Sequence, residues 1–141
     1  MTTYLTIDSG IAYRLIAPHP KRPKYTTLVT GWQRSGFQLC APVLWAYEVA
    51  SIFTKMVHFG ELSELDGREG LQLAYELGVQ LFPPDESQSI KAFEWTRRLR
   101  RVAAYDSFYL ALAESIGCEF WTIDKRLVNA AGQSWVKLVE V

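Results

Sequence analysis

The feature that most constrains this chain is an alternation: short apolar runs, too short for helices, each followed by a segment with helical spacing. Tyr4 to Ile7, Phe37 to Ala41, Val79 to Phe82 and Cys118 to Ile123 read as strands, with Trp135 to Val139 as a further candidate. Helical patterns fill the intervals, over about Ile11 to Ile16, Tyr25 to Gln33, and a helix opened by Pro42 that runs to about Phe59. Further helices cover Ser63 to Leu77, a segment capped by Asp85 or Ser87 that runs to Leu99, and Ala104 to Ile116 with Gly117 as its stop. A short helix follows Asp124, and Pro18 to Lys24 reads as a basic, proline-rich loop. Strands separated by helix-length connections pair in parallel, so the expected fold is α/β with a mainly parallel sheet. The 141 residues show no composition break, long repeat or low-complexity tract, which predicts a single domain over residues 1–141.

Composition narrows the function. Hydrophobic residues make up 49% and charged residues 21%, which excludes a disordered chain. Lys plus Arg and Asp plus Glu are both 15, so the net charge is zero and a protein that coats nucleic acid is excluded. Nucleic-acid contact would have to be local, through a basic patch or through metal ions that carry the missing positive charge. No apolar run reaches membrane-spanning length, and Met1 to Asp8 lacks the pattern of a secretory signal. Cys40 and Cys118 are the only cysteines, and both sit in strand-like runs. They read as buried free thiols of a reducing compartment, so the expected location is cytoplasmic.

Four carboxylates occupy unusual settings. Thr6-Ile7-Asp8 and Thr122-Ile123-Asp124 both end a strand-like run, and open α/β sheets bind ligands beyond the carboxyl ends of their strands. Glu48 lies on the apolar stripe Trp45, Val49, Ile52 and Met56, and Asp106 heads the stripe Tyr109, Leu110, Ala113 and Ile116. A charged carboxylate facing a core costs several kcal/mol unless a cation pairs with it. Each acid also has a plain structural reading. Asp8, Asp124 and Asp106 could cap the helices that follow them. Glu48, inside its helix, could form a buried salt bridge to an arginine. One metal site accounts for all four at once. Carboxylates are the ligands that Mg²⁺ or Mn²⁺ prefers, and such ions activate water and stabilise charge in phosphodiester hydrolysis. His19 sits in the proline-rich loop and His58 near a helix end, which argues against a histidine-pair ribonuclease mechanism.

The run Ala103-Ala104-Tyr105-Asp106-Ser107-Phe108-Tyr109-Leu110-Ala111-Leu112-Ala113-Glu114, followed by Trp121 to Leu127, resembles the C-terminal half of PIN domains. It is most similar to the toxin ribonucleases of VapBC toxin–antitoxin pairs. Ile7-Asp8-Ser9 and Pro42 through Glu48-Val49 match the family's other two blocks in the same order. The resemblance implies a three-layer α/β/α fold with a four- or five-stranded, mainly parallel sheet. It implies that Asp8, Glu48, Asp106 and Asp124 bind Mg²⁺ or Mn²⁺ and carry RNA hydrolysis, with Ser9 and Thr122 as supporting hydroxyls. It further implies a VapB-like antitoxin partner and a homodimer. Gly10 departs from the Ser or Asn often found there, which puts any polar contact from that position in doubt.

Arg97, Arg98, Arg100 and Arg101 form a basic run before Asp106. They would meet RNA phosphates or an acidic antitoxin segment, or else complement a helix end. Lys21, Arg22 and Lys24 form a second basic spot in the loop after the first helix, and Trp95, Trp121 and Trp135 read as core or interface residues. The rival from another class is a non-catalytic PIN-like module that binds RNA or protein. A HAD-like phosphatase would need a second Asp where Gly10 stands, and no glycine-rich turn supports a Rossmann nucleotide site.

Overall fold

The computed structural model describes residues 1–141. In chain order the elements are β1 (Thr3–Ile7), α1 (Ser9–Ile16), α2 (Arg22–Arg34), β2 (Phe37–Pro42), α3 (Leu44–His58) and α4 (Glu64–Glu76). There follow β3 (Gln80–Phe82), α5 (Glu86–Arg98), α6 (Tyr105–Ile116), β4 (Glu119–Thr122), α7 (Lys125–Ala131) and β5 (Val136–Leu138). The five strands form one sheet in the order β3-β2-β1-β4-β5, and every pairing is parallel. Helices cover both faces, so the architecture is the three-layer α/β/α sandwich, and the fifth strand is real.

Alternation along β1 divides the core between the faces. Leu5 and Ile7 point one way, onto Ile11 of α1, Tyr25 and Val29 of α2, and Leu39. On the opposite face Phe120 of β4 packs with Trp45, Val49 and Phe53 of α3, Trp95 of α5, and Tyr109, Leu110 and Ala113 of α6. Helix α6 is buried from Tyr109 through Ala113, which marks it as the central helix of that layer. Trp95 packs edge-on against Trp135, and Trp121 packs against Trp32, so these indoles serve the two cores. Cys40 and Cys118 are free thiols that flank the Thr6 hydroxyl at 3.4 and 3.3 Å. No helix is long and apolar enough to cross a membrane.

Two boundaries differ from the sequence reading, each for a local reason. The basic, proline-rich stretch is not wholly a loop, because α2 already starts at Arg22 with Pro23 in its first turn, where a missing N–H costs nothing. Pro42 ends β2 rather than opening α3. It aligns with Phe82 of β3, and the next N–H, from Val43, donates to the Phe82 carbonyl at 3.1 Å. Elsewhere the expected punctuation is present: Asp85 caps α5 by accepting from the Gln88 N–H at 2.7 Å, and Gly117 ends α6 in the left-handed region at φ 78°.

Candidate active site

The sheet delivers its acids by topology. β1 and β4 are neighbours, with Ile7 level with Trp121, so the next residues, Asp8 and Thr122, stand side by side at the carboxyl edge. The two Thr-Ile-Asp strand ends are thus adjacent but staggered. The Thr122 hydroxyl hydrogen-bonds to Asp8 Oδ2, and the Ile123 N–H donates to the same oxygen at 3.2 Å. Asp8 Oδ1 accepts from the Ile11 N–H at 3.0 Å, so Asp8 also caps α1. Asp124 caps α7 through the Leu127 N–H at 3.1 Å, and its own N–H donates to Thr122 Oγ1 at 3.0 Å. Capping and a place in the site are therefore compatible for both residues, because a carboxylate has two oxygens.

Glu48 comes from α3 and Asp106 from the first turn of α6. Together with Asp8, Asp124, Ser9 and Thr122 they line one recess of about 70 Å³, so the four acids and two hydroxyls nominated from the sequence meet at one place, while none of Arg97, Arg98, Arg100 and Arg101 lines it. No salt bridge to arginine holds Glu48. Its Oε1 accepts from the Tyr109 hydroxyl at 2.6 Å, and Tyr109 is 2% exposed. Asp106 does not cap α6; its Oδ2 accepts from Arg101 Nη1 at 2.6 Å, and its side chain is 44% exposed, at the mouth rather than in the core. The core-facing penalty argued for both acids from periodicity thus applies chiefly to Glu48.

Burial pushes the Asp8 carboxyl above the usual carboxylate range, against the lowering pull of Thr122 and the two N–H groups, and the Asp106 charge adds to the rise. Burial likewise raises Glu48, opposed by the Tyr109 hydroxyl and assisted by Asp106 and Asp8. Tyr109 itself is held well above an ordinary phenol by burial and then by the Glu48 charge, with the Ser9 hydroxyl pulling the other way. Two buried carboxyls raised in this way, beside the charge of Asp106, are what a cation would relieve. The donors are all oxygen, which suits Mg²⁺ or Mn²⁺. As the side chains lie, no three of them converge closely enough to cage an ion. The geometry names the obstacle: Arg101 holds Asp106 and Tyr109 holds Glu48. Asp106 Oδ1 and Glu48 Oε2 carry no such partner.

Sequence reasoning missed Tyr109 as a functional residue because it falls on the apolar stripe of α6. The available signal was its hydroxyl, which must find a partner when buried. Gly10 also has a reason. A Cβ there would lie 2.6 Å from Ile123 Cδ1, so in this chain Ile123 fills the space that a side chain at position 10 would need.

The sequence pattern of PIN domains matches residues 5–133. The chain belongs to the PIN domain family. Ribonuclease VapC9 of Mycobacterium tuberculosis is 34% identical over 91 residues, which make up 64% of this chain and 68% of that protein. A VapC ribonuclease of Mycobacterium bovis matches to the same extent. Among solved structures, VapBC2 of Rickettsia felis, bound to a DNA fragment from its promoter, superposes with a TM-score of 0.72 at 10% identity, covering 97% of this chain and 98% of that one. VapC20 of Mycobacterium tuberculosis, a sarcin–ricin loop cleaving toxin, gives 0.65 at 14% identity, covering 94% and 98%. At such low identity these structures establish the PIN fold alone.

Proposed function

We propose that this PIN domain is a divalent-metal-dependent endoribonuclease of the VapC type, the toxin of a type II toxin–antitoxin pair that works in the cytoplasm. The observation that carries the reading is the single recess lined by Asp8, Glu48, Asp106, Asp124, Ser9 and Thr122. The 34% identity to VapC ribonucleases supports the toxin assignment, the RNA substrate and a VapB-like antitoxin partner. A homodimer goes with the same reading.

Asp8, Glu48, Asp106 and Asp124 would hold Mg²⁺ or Mn²⁺, which supplies charge neutralisation at the phosphate and a lowered pKa for bound water. The chain's own groups do the positioning. Thr122 and the Ile123 N–H fix one oxygen of Asp8, and the Ile11 N–H fixes the other. Tyr109 sets the orientation of Glu48. Ser9, at the same recess, offers a hydroxyl to water or phosphate. Hydrolysis adds water across one P–O bond of the RNA backbone, leaving a hydroxyl on one fragment and a phosphate monoester on the other. Incubation of purified protein with structured RNA and Mg²⁺, with and without EDTA, tests the reading. Cleavage should require the metal and disappear in Asp8→Asn and Asp106→Asn variants that retain a native circular dichroism spectrum. Undiminished cleavage by either folded variant would overturn the assignment.

A further inference from the structure

The acids of this chain are unevenly spread. Between Asp8 and Glu48 there is no Asp or Glu, whereas Arg14, Lys21, Arg22, Lys24 and Arg34 all fall there. The net charge of the whole is zero, so residues 9–47 carry +5 and the rest of the chain −5. That segment is α1, α2 and β2, two helices on one face of the sheet and a strand beneath them.

Four of the five cations gather at one corner, the turn from α1 into α2. Arg14 lies in the last turn of α1, and Lys21, Arg22 and Lys24 stand at the start of α2. Arg22 reaches back across the turn, its Nη1 3.5 Å from the Ile16 carbonyl oxygen, and Arg14 lies over the Tyr13 ring at 5.3 Å. Cations at the carboxyl end of a helix complement its dipole, which accounts for Arg14 and Arg22. The same dipole disfavours Lys21 and Lys24, which stand at the amino end of α2, where no acid occupies the first turn. Lys21, Arg22 and Lys24 are exposed, and none of the four cations takes part in an ion pair. Like charges gathered without a counter-charge repel one another, a cost that an external anion removes.

Helix α1 ties this corner to the acid recess. Ser9, its first residue, lines the recess, and Ile16 ends it at the turn, so the two places lie about 12 Å apart along the helix axis. None of the four cations lines the recess itself. A single phosphate at the recess leaves the corner untouched, whereas a strand charged at every nucleotide reaches both.

We propose that the α1–α2 corner is a second RNA contact, in which Arg14, Lys21, Arg22 and Lys24 hold backbone phosphates of a strand whose reacting bond lies at the acid recess; the proposal rests on the ribonuclease reading above. Cations on phosphates add affinity and position the strand without reading its bases. The corner therefore strengthens binding of any RNA long enough to reach it and adds nothing to the bond-breaking step.

The test pairs two measurements on the full chain: anisotropy of a long, labelled oligouridylate in EDTA, and cleavage of a long mixed-sequence transcript in Mg²⁺. The Lys21→Gln/Lys24→Gln double variant should flatten the slope of log K against log salt by about 1.4, which is about 0.7 for each phosphate contact. Its KM for the transcript should rise roughly 10-fold or more with kcat unchanged. Both lysines are exposed, so thermal melting should match the parent protein. Arg34→Gln, an exposed cation of the same segment at the other end of α2, should leave both measurements unchanged. Parent-like affinity and slope in the double variant overturn the proposal. So does an equal loss in Arg34→Gln, which would assign the effect to overall charge. A loss confined to binding of a polyglutamate peptide also overturns it and gives the corner to an acidic protein segment. The two claims fail separately. Transcript cut with the parent KM removes the corner alone, whereas an uncut transcript removes the ribonuclease reading, and weakened oligouridylate binding would then still support the corner.

Discussion

Burial holds the Glu48 carboxyl above its usual range, and the charges of Asp106 and Asp8 push it the same way against the pull of Tyr109. A carboxyl with a raised folded-state pKa favours the fold when protonated. That contribution is complete below the unfolded value of about 4.3 and is lost as pH rises through the folded value. Above its folded value the metal-free protein therefore carries Glu48 as a destabilising charge. Glu48→Gln keeps an acceptor for the Tyr109 hydroxyl and removes that charge. In EDTA at neutral pH this variant should melt roughly 2–5 °C higher than the parent, with the gap closing toward pH 4, while cleavage falls on the order of 100-fold or more. A lower melting temperature at neutral pH would refute the account. Tyr109→Phe removes the group that lowers the Glu48 pKa, so the acidic limb of the cleavage profile should move to higher pH. Glu48 was legible in the sequence as a charge on an apolar stripe, whereas its partner Tyr109 was not. A tyrosine on such a stripe looks like packing until the facing element is known.

At the level of elements, the helix that carries Glu48 and Tyr47 is seated by a close crossing that sequence patterns do not reveal. A Cβ at Gly67 of α4 would lie 2.4 Å from Val57 Cγ2, and one at Gly70 would lie 2.6 Å from Phe53 Cε1 and 3.2 Å from Ile16 Cγ2. Gly31 of α2 has nothing within 4 Å. In a helix interior, glycine costs about 1 kcal/mol relative to alanine. Gly31→Ala should therefore stabilise the protein by about 0.5–1 kcal/mol. Gly70→Ala sets the same gain against overpacking worth about 1–3 kcal/mol, and a net loss of roughly 1 kcal/mol is expected. Chemical denaturation of the two variants decides the matter, and equal shifts would mean that the α3–α4 crossing is looser than drawn. From sequence all three are helical glycines with the same propensity penalty. Only the tertiary neighbour distinguishes them. The element types were legible because hydrophobic period and caps act locally; the ends at Arg22 and Pro42 were not, because a proline's place depends on which carbonyls and N–H groups its neighbours leave to be satisfied.

For the molecule as a whole, one parallel sheet brings together acids that are 116 residues apart in sequence, from Asp8 to Asp124. Two of the four stood at strand ends, where the rule for open α/β sheets already points, so the location of the site was legible before its geometry. The division of the arginine run was not: Arg101 pairs with Asp106 while Arg98 lies over the Trp95 ring at 4.0 Å, and between them Arg100 takes φ 56° just past the end of α5. The proposed metal site makes a prediction about stability. An ion that binds only the folded state adds RT ln(1 + [L]/Kd), about 2.7 kcal/mol at a hundredfold excess over Kd. Replacing EDTA with excess Mn²⁺ at neutral pH should raise the melting temperature by several degrees. The increment should shrink as pH falls, because the raised carboxyls of Asp8 and Glu48 then take protons in place of the ion. Asp106→Asn should lose most of it. Lys55→Gln should keep it in full, since that residue does not line the acid recess. Differential scanning calorimetry across these conditions measures the effect directly. A melting temperature indifferent to Mn²⁺ at every pH would remove the metal from the site while leaving the PIN fold in place.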